Sequence, residues 1–192
     1  WFAGLVPATN PRLVMVVEVD DPLLRKATKP IGHPLPPERL AELKRRGVPV
    51  GSGGGGRWRR LTSSPVPVGV VESEVVRRLM EAGTIVIAAG GGGPPVYRDA
   101  SLGWEGVDAV VDKDRTAAIL ARGRGAEFLL ILTNVDAVYR DFGTDRARPV
   151  RRMTIGEAEA MLASGVFGEG SMGPKVEAAL AEFGRVDCLI NN

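Results

Sequence analysis

Two residue types common in catalytic sites are almost missing from this chain. Among 192 residues there is one cysteine and one histidine. The lone cysteine, Cys188, excludes an intramolecular disulfide and suits a reducing compartment. It lies in the apolar run VDCLI and reads as a core thiol, because no histidine is near it in the sequence. The lone histidine, His33, sits in HPLPP. A Ser–His–Asp triad would therefore depend on a proline-rich loop, and no metal site of the usual His or Cys kind is expected. Long hydrophobic runs are lacking too, and none approaches bilayer length. The start shows no charged segment followed by a long apolar one, so no signal peptide is expected. The expectation is a cytoplasmic protein with no membrane partner. Nor is there an excess of one charge: 25 Lys+Arg face 23 Asp+Glu, a formal net charge of +2. A general nucleic-acid role is not indicated. The densest basic spot, RWRR at 57–60, is too short to argue for one.

What is present is a globular composition. With 44% hydrophobic residues the chain can bury a core, and its length suits one domain or a large part of one. The run LVMVVEV at 13–19 predicts a buried strand. An irregular, proline-punctuated stretch follows at about 22–66, with a short helical pattern at 38–46 and the low-complexity run GSGGGG at 51–56. A stretch of that kind inside a compact domain reads as a small protruding subdomain. Beyond it, strand and helix patterns alternate. A helix is predicted over 72–82, stopped by Gly83. Strands are predicted at 84–89 (TIVIAA), 107–111, 128–133 (FLLILT) and 186–190. A helix over 113–121 is opened by Asp112. Thr154 and Glu157 fit a capping box for a helix ending near Gly165. Pro174 stands where a first helical residue belongs, with Val176, Ala179, Leu180 and Phe183 at helical spacing after it. Alternation of this kind, with near-continuous apolar strands, argues for a mostly parallel sheet covered on both faces. No internal repeat is found.

Three segments carry chemistry. The strand pattern at 84–89 runs straight into Gly90, Gly91, Gly92 and Gly93. Glycine lets a backbone approach a ligand closely and leaves successive N–H groups free to face an anion. In an open α/β sheet, ligands bind at the carboxyl ends of the strands, where this run lies. A flexible turn is the alternative, although an ordinary turn needs one or two glycines. In the VDKD segment at 111–114, Asp112 takes the capping position and Lys113 and Asp114 fall in the first helical turn. Lysine there would neutralise charge on a transferring phosphoryl group, and a carboxylate would hold it in place. A capped helix with solvated charges reads equally well. In GSMGPK at 170–175, Lys175 falls in a first helical turn, where a cation is unhelpful unless an anion sits beside it. Its alternative is a solvated loop lysine. Together the three describe a pocket for phosphate groups and point to phosphoryl transfer.

Several tempting patterns lack their context. Gly51, Gly53 and Gly56 match G-x-G-x-x-G, but RWRR follows and not a helix. Gly168 and Gly173 have P-loop spacing, yet Pro174 separates glycine from lysine. Asp141, Phe142 and Gly143 spell DFG without a histidine-containing catalytic loop. The closing LINN carries little weight.

Read in order, EVDDP, TKPIG, GRWRR, SSPVP, VIAAGGGGPPV, GVDAVVDKD, LLILTNVDAVY and GSMGPKVEAAL resemble the carbamate kinases of the amino-acid kinase superfamily. The resemblance runs from about Val17 to Phe183. It implies an α/β fold, a three-layer αβα sandwich with a mostly parallel sheet, and a homodimer. It also implies reversible phosphoryl transfer between Mg·ATP and carbamate, giving ADP and carbamoyl phosphate, with Mg²⁺ accompanying the nucleotide. In cells the reaction commonly runs toward ATP in arginine or other ureido catabolism. By position, Lys29 matches the lysine lent by the protruding subdomain, Lys113 and Lys175 match the other two active-site lysines, and Asp114 matches the acid that organises them. Gly90, Gly91, Gly92 and Gly93 match the loop around carbamate and the transferred phosphate. Thr133, Asn134, Val135, Val138, Tyr139, Met172 and Gly173 fall where the nucleotide binds. TKPIG and GSMGPK set the chain apart from relatives acting on acetylglutamate or nucleoside monophosphates. There are departures. The family's N-terminal strand and its GGN phosphate loop have no counterpart in these residues, nor does its portion beyond about Ile190. Asn134 replaces the aspartate of a T-D-V pattern, and GSGGGG replaces a more charged stretch. These departures imply that the stretch alone turns over poorly. They also leave a second reading, a nucleotide-binding or dimerisation fragment without catalysis.

Overall fold

The computed structural model describes residues 17–19, 26–52, 56–88, 90–133, 135–167 and 172–183. Asn134, Ala89, residues 13–16, 168–171 and the strand expected at 186–190, with Cys188, lie outside them. The chain divides into two compact units, Trp1–Thr116 and Ala117–Asn192.

In the first unit the elements are β1 (Val17–Val19), β2 (Ala27–Ile31), α1 (Pro37–Arg45), β3 (Val50–Ser52), β4 (Trp58–Ser63), β5 (Pro67–Val70), α2 (Ser73–Glu81), β6 (Pro95–Asp99) and β7 (Gly103–Gly106). The helix α3 (Lys113–Gly123) begins there. The alternation in β1 puts Val17 and Val19 into the core, both essentially inaccessible. β1 lies between β5, antiparallel to it, and β6, parallel to it. β7 adds to β6 as an antiparallel hairpin, giving the order β5-β1-β6-β7. A separate antiparallel sheet, β2-β4-β3, falls within the stretch read as a protruding subdomain. α1 is held to it by buried Leu43 and by the Lys44 ammonium, 4.1 Å from the centre of the Trp58 ring. α2 ends as its sequence predicts. Gly83 turns left-handed at φ +80°, its N–H donates to the Met80 carbonyl, and the Thr84 N–H donates to that of Leu79. This pair of bonds satisfies carbonyls that the helix end leaves unpaired.

In the second unit a short hairpin, β8 (Val138–Arg140) and β9 (Arg148–Val150), accompanies α4 (Ile155–Ala163) and α5 (Met172–Phe183). Val138, Met153, Ala158, Met161 and Val176 form its buried cluster. Each large apolar side chain so buried stabilises by about 1.5–3 kcal/mol. The capping box expected for α4 is present in full. The Glu157 N–H donates to Thr154 Oγ1, and the Thr154 N–H donates to a Glu157 carboxylate oxygen at 2.8 Å.

The structure corrects several local expectations. The four-stranded sheet is mixed, with one parallel pair, β1–β6, among the described residues. Residues 84–88 and 128–132 join no ladder among the described residues. Ile85, Ile87, Phe128, Leu130 and Leu132 are all exposed. A continuous apolar run favours burial but does not supply a neighbouring strand, and a strand exists only when its backbone groups are paired. Residues 107–111 are likewise not a strand. They contribute one isolated parallel bridge, Ala109 to Ser63. α5 starts at Met172, so Pro174 is its third residue and not its first. Proline is tolerated anywhere in that turn, since those N–H groups have no intrahelical partner. Among the described residues no helix is long and apolar enough to cross a membrane.

Candidate active site

The site in the first unit is built around the start of α3. Val111 is buried, and the chain turns from it into the helix through Asp112. One oxygen of Asp112 accepts the Asp114 N–H at 2.9 Å, as a helix-capping aspartate should. Its other oxygen accepts from the Lys29 ammonium, also at 2.9 Å. Lys29 lies on β2, where it pairs with Thr62 of β4. The next residue of β4, Ser63, accepts the Val110 N–H at 2.9 Å through its carbonyl. The sheet carrying Lys29 is thus stitched to the segment that leads into Asp112, although the two residues are 83 apart in sequence.

This pair is half sheltered, with side chains 31% and 14% exposed for Lys29 and Asp112. Burial alone would raise the Asp112 carboxyl. The hydrogen bond and charge of Lys29, with N–H groups of Asp114 and Arg115, outweigh it and hold the carboxyl below its ordinary value. A lowered carboxyl stabilises the folded chain above its unfolded pKa. The contribution fades as the pH falls through the lowered folded value.

The glycine run packs on the same helix start. Gly90, Gly92 and Gly93 have φ of +46°, +122° and +87°. At Gly92 a side chain is excluded, because a Cβ would lie 2.5 Å from the Val111 carbonyl oxygen and 3.5 Å from the Lys113 nitrogen. The residues flanking Asp112 therefore form the floor on which Gly92 rests. Sequence reasoning missed the side chain that fastens this contact, Thr116. It is fully buried, and its hydroxyl lies 3.1 Å from both the Gly92 and the Asp112 carbonyl oxygens. The only sequence signal for it was a hydroxyl four residues after a capping aspartate, at a spacing where Ser and Thr bond backward to the helix.

The first unit thus gathers Lys29, the glycine run and the Asp112–Asp114 turn. Within that turn Asp114 is buried at 7% exposure, and its carboxylate is 3.6 Å from the ammonium of Lys113, whose side chain is 56% exposed. The positive end of a helix, a left-handed glycine bend and two ammonium groups favour a small anion.

The remaining residues singled out from the sequence belong to the second unit. Lys175 is buried at 6% exposure in the first turn of α5, which carries no acidic residue. Met172 packs against the hydrophobic cluster that contains Val138. Gly173 is buried, with the Phe167 Cβ 3.9 Å from where its own would be. Thr133 and Val135 are half-buried. The Tyr139 hydroxyl donates to Asp136 at 2.7 Å, and its ring meets that of Phe142 at 5.7 Å between centres. Val138 is wholly enclosed and pairs with Val150 across the hairpin.

Comparison with known proteins gives this geometry its family. The amino acid kinase family model matches residues 37–190. A carbamate kinase of Halobacterium salinarum is 48% identical over 167 residues, which cover 86% of this chain and 54% of the relative. A carbamate kinase of Staphylococcus haemolyticus is 42% identical over 88% of this chain and 55% of its own length. Among solved structures, carbamate kinase from Giardia lamblia bound to citric acid superposes with a TM-score of 0.77 at 32% identity. That match covers 88% of this chain and 54% of the Giardia chain. The same Giardia protein has been solved bound to AMP-PNP, with a TM-score of 0.72. The chain spans about half the length of the curated relatives it matches. The α/β class and the amino-acid kinase fold expected from the sequence are both found, over the part of that fold this chain covers. With the family model matched over most of its length, the chain belongs to the amino acid kinase family.

Proposed function

We propose that the protein to which these residues belong is a carbamate kinase. It would transfer a phosphoryl group reversibly between Mg·ATP and carbamate. The observation that carries this reading is the convergence of Lys29, from a separate β-sheet, on the aspartate that caps α3 beside Gly92. In the ATP-forming direction, a terminal phosphate oxygen of ADP attacks the phosphorus of carbamoyl phosphate. The bond from phosphorus to the carbamate oxygen breaks, and carbamate leaves as an anion. No proton has to move, so no general base is needed, and the task is positioning and charge neutralisation. Backbone N–H groups of Gly91, Gly92 and Gly93 would hold the moving group, and Gly90, whose N–H donates to the Ala88 carbonyl at 2.8 Å, would shape the bend. Lys29, Lys113 and Lys175 would spread positive charge around it, with Asp114 fixing Lys113. Magnesium would arrive with the nucleotide, bound mainly by phosphate oxygens.

Residues Thr133, Asn134, Val135, Val138, Tyr139, Met172 and Gly173 would form the nucleotide site. The AMP-PNP complex of the Giardia relative supports a nucleotide. The stretch at about 22–66 would act as the small lobe that lends Lys29. We further infer a homodimer working in the cytoplasm, most often toward ATP in arginine catabolism. The single cysteine suits that compartment.

A coupled assay of the longest reading frame containing these 192 residues should form ATP from ADP and carbamoyl phosphate. No ATP above background would overturn the reading. The 192 residues alone should be slower by a factor on the order of 10² or more, since a phosphate clamp lacking some of its donors loses about that much. A second reading, nucleotide binding or dimerisation without catalysis, is favoured by the half-length match and by Asn134. Nucleotide-dependent thermal stabilisation with no phosphoryl transfer would select it.

A further inference from the structure

Asp112 links two things that the proposed chemistry must keep in register. Through one oxygen it caps α3, the helix whose first turn bears Lys113 and Asp114. Through the other it holds Lys29, which arrives on a different sheet. Its two neighbours, Val111 and Lys113, supply the backbone atoms on which Gly92 rests. A lysine on a four-carbon stem has many rotamers, and left to itself it would spread its charge over a wide volume of solvent. The carboxylate restricts it to one place, at the turn whose flanking residues contact Gly92. We propose that Asp112 is a positioning residue, a docking post that holds the Lys29 ammonium at the phosphate cradle before substrate arrives. It would not touch the reacting atoms itself.

The pairing is suited to this work. The two groups are partly sheltered from water, so their attraction is screened less than that of a surface pair. The Asp112 backbone carbonyl is fixed as well, by the Thr116 hydroxyl at 3.1 Å. The post is therefore anchored at its carbonyl and at its carboxylate. When a phosphoryl group enters, Lys29 need only turn from one anion to another, without being gathered from solvent.

This inference rests on the phosphoryl-transfer reading, and the experiment separates the two. Asp112→Asn keeps a good helix cap but removes the charge, whereas Asp112→Ala removes both. Asp112→Asn should raise the KM for carbamoyl phosphate by about tenfold and leave the KM for ADP within about twofold, as expected for one lost charge-assisted contact. Lys29→Met should cost much less in the Asp112→Asn background than in the wild type. Fully additive losses, or an equal rise in both KM values, would overturn the proposal. A readout that needs no turnover is competitive acylation of lysines, followed by mass spectrometry. Asp112→Asn should increase the labelling rate of Lys29 at least about threefold relative to Lys26 as internal reference, since the carboxylate 2.9 Å away ties the amine down and shields it from the reagent. Unchanged Lys29 reactivity would overturn the docking role even in an active enzyme. Faster labelling in a protein without kinase activity would leave the post standing and remove the phosphoryl-transfer reading.

Discussion

Gly92 cannot carry a side chain, for two separate reasons. Its φ of +122° is one that L-residues rarely adopt, and the Val111 carbonyl oxygen would lie 2.5 Å from a Cβ. Gly83 shares only the first constraint: its φ is +80°, and nothing lies within 4 Å of where its Cβ would be. Gly83→Ala should therefore cost about 1–2 kcal/mol of left-handed strain. Gly92→Ala should cost about 2–5 kcal/mol, the same strain plus a clash with backbone that cannot step aside. Urea midpoints of the two variants check this, and equal losses would mean that the loop relaxes away from Val111. The sequence made all four glycines of the run look alike. Which of them is indispensable depends on residues 111 and 113, some twenty positions on, and no local pattern encodes that. Thr116 went unread for the same reason, since its hydroxyl acquires meaning only when the Gly92 carbonyl is beside it.

Among the elements, helices were legible where their signals are local. The Thr154–Glu157 box needs only four consecutive residues, and it forms as written. Thr154→Ala should destabilise α4 by about 1 kcal/mol. Amide exchange of the first turn of α4 should speed up accordingly, while α2 exchanges at its former rate. Equal acceleration in both would mean that the two units unfold together and the cap acts globally. The start of α5 was misplaced by two residues because Pro174 is acceptable throughout a first turn and marks no unique position. Strands were less legible. The runs at 84–88 and 128–132 read as near-continuous apolar strands, yet neither segment pairs among the described residues. A helix satisfies its own backbone, whereas a strand needs a partner from elsewhere in the chain. The exposed Ile85, Ile87, Phe128, Leu130 and Leu132 show what such a segment looks like when the pattern is present and the ladder is not.

For the molecule as a whole, the informative contact joins residues 83 apart. Nothing in spacing or composition places Lys29 on Asp112. The sequence supplied the glycine bend and the lysines near helix starts. A common purpose for them was implied only by the order of many short segments, the same order that pointed to the family the chain belongs to. The structure adds the connection: a sheet that carries one lysine, sewn by Ser63 and Val110 to the turn that carries another. The proposed phosphoryl transfer requires Lys29, Lys113 and Lys175 to surround a phosphoryl group held on the glycine bend. Crystals of the longest reading frame containing this chain, grown with ADP and aluminium fluoride, test it most directly. The expected result is fluoride density within hydrogen-bond distance of the N–H groups of Gly91 and Gly92, with all three ammonium groups around it. Density bound elsewhere, with Lys29 and Lys113 turned away from Gly92, would contradict it.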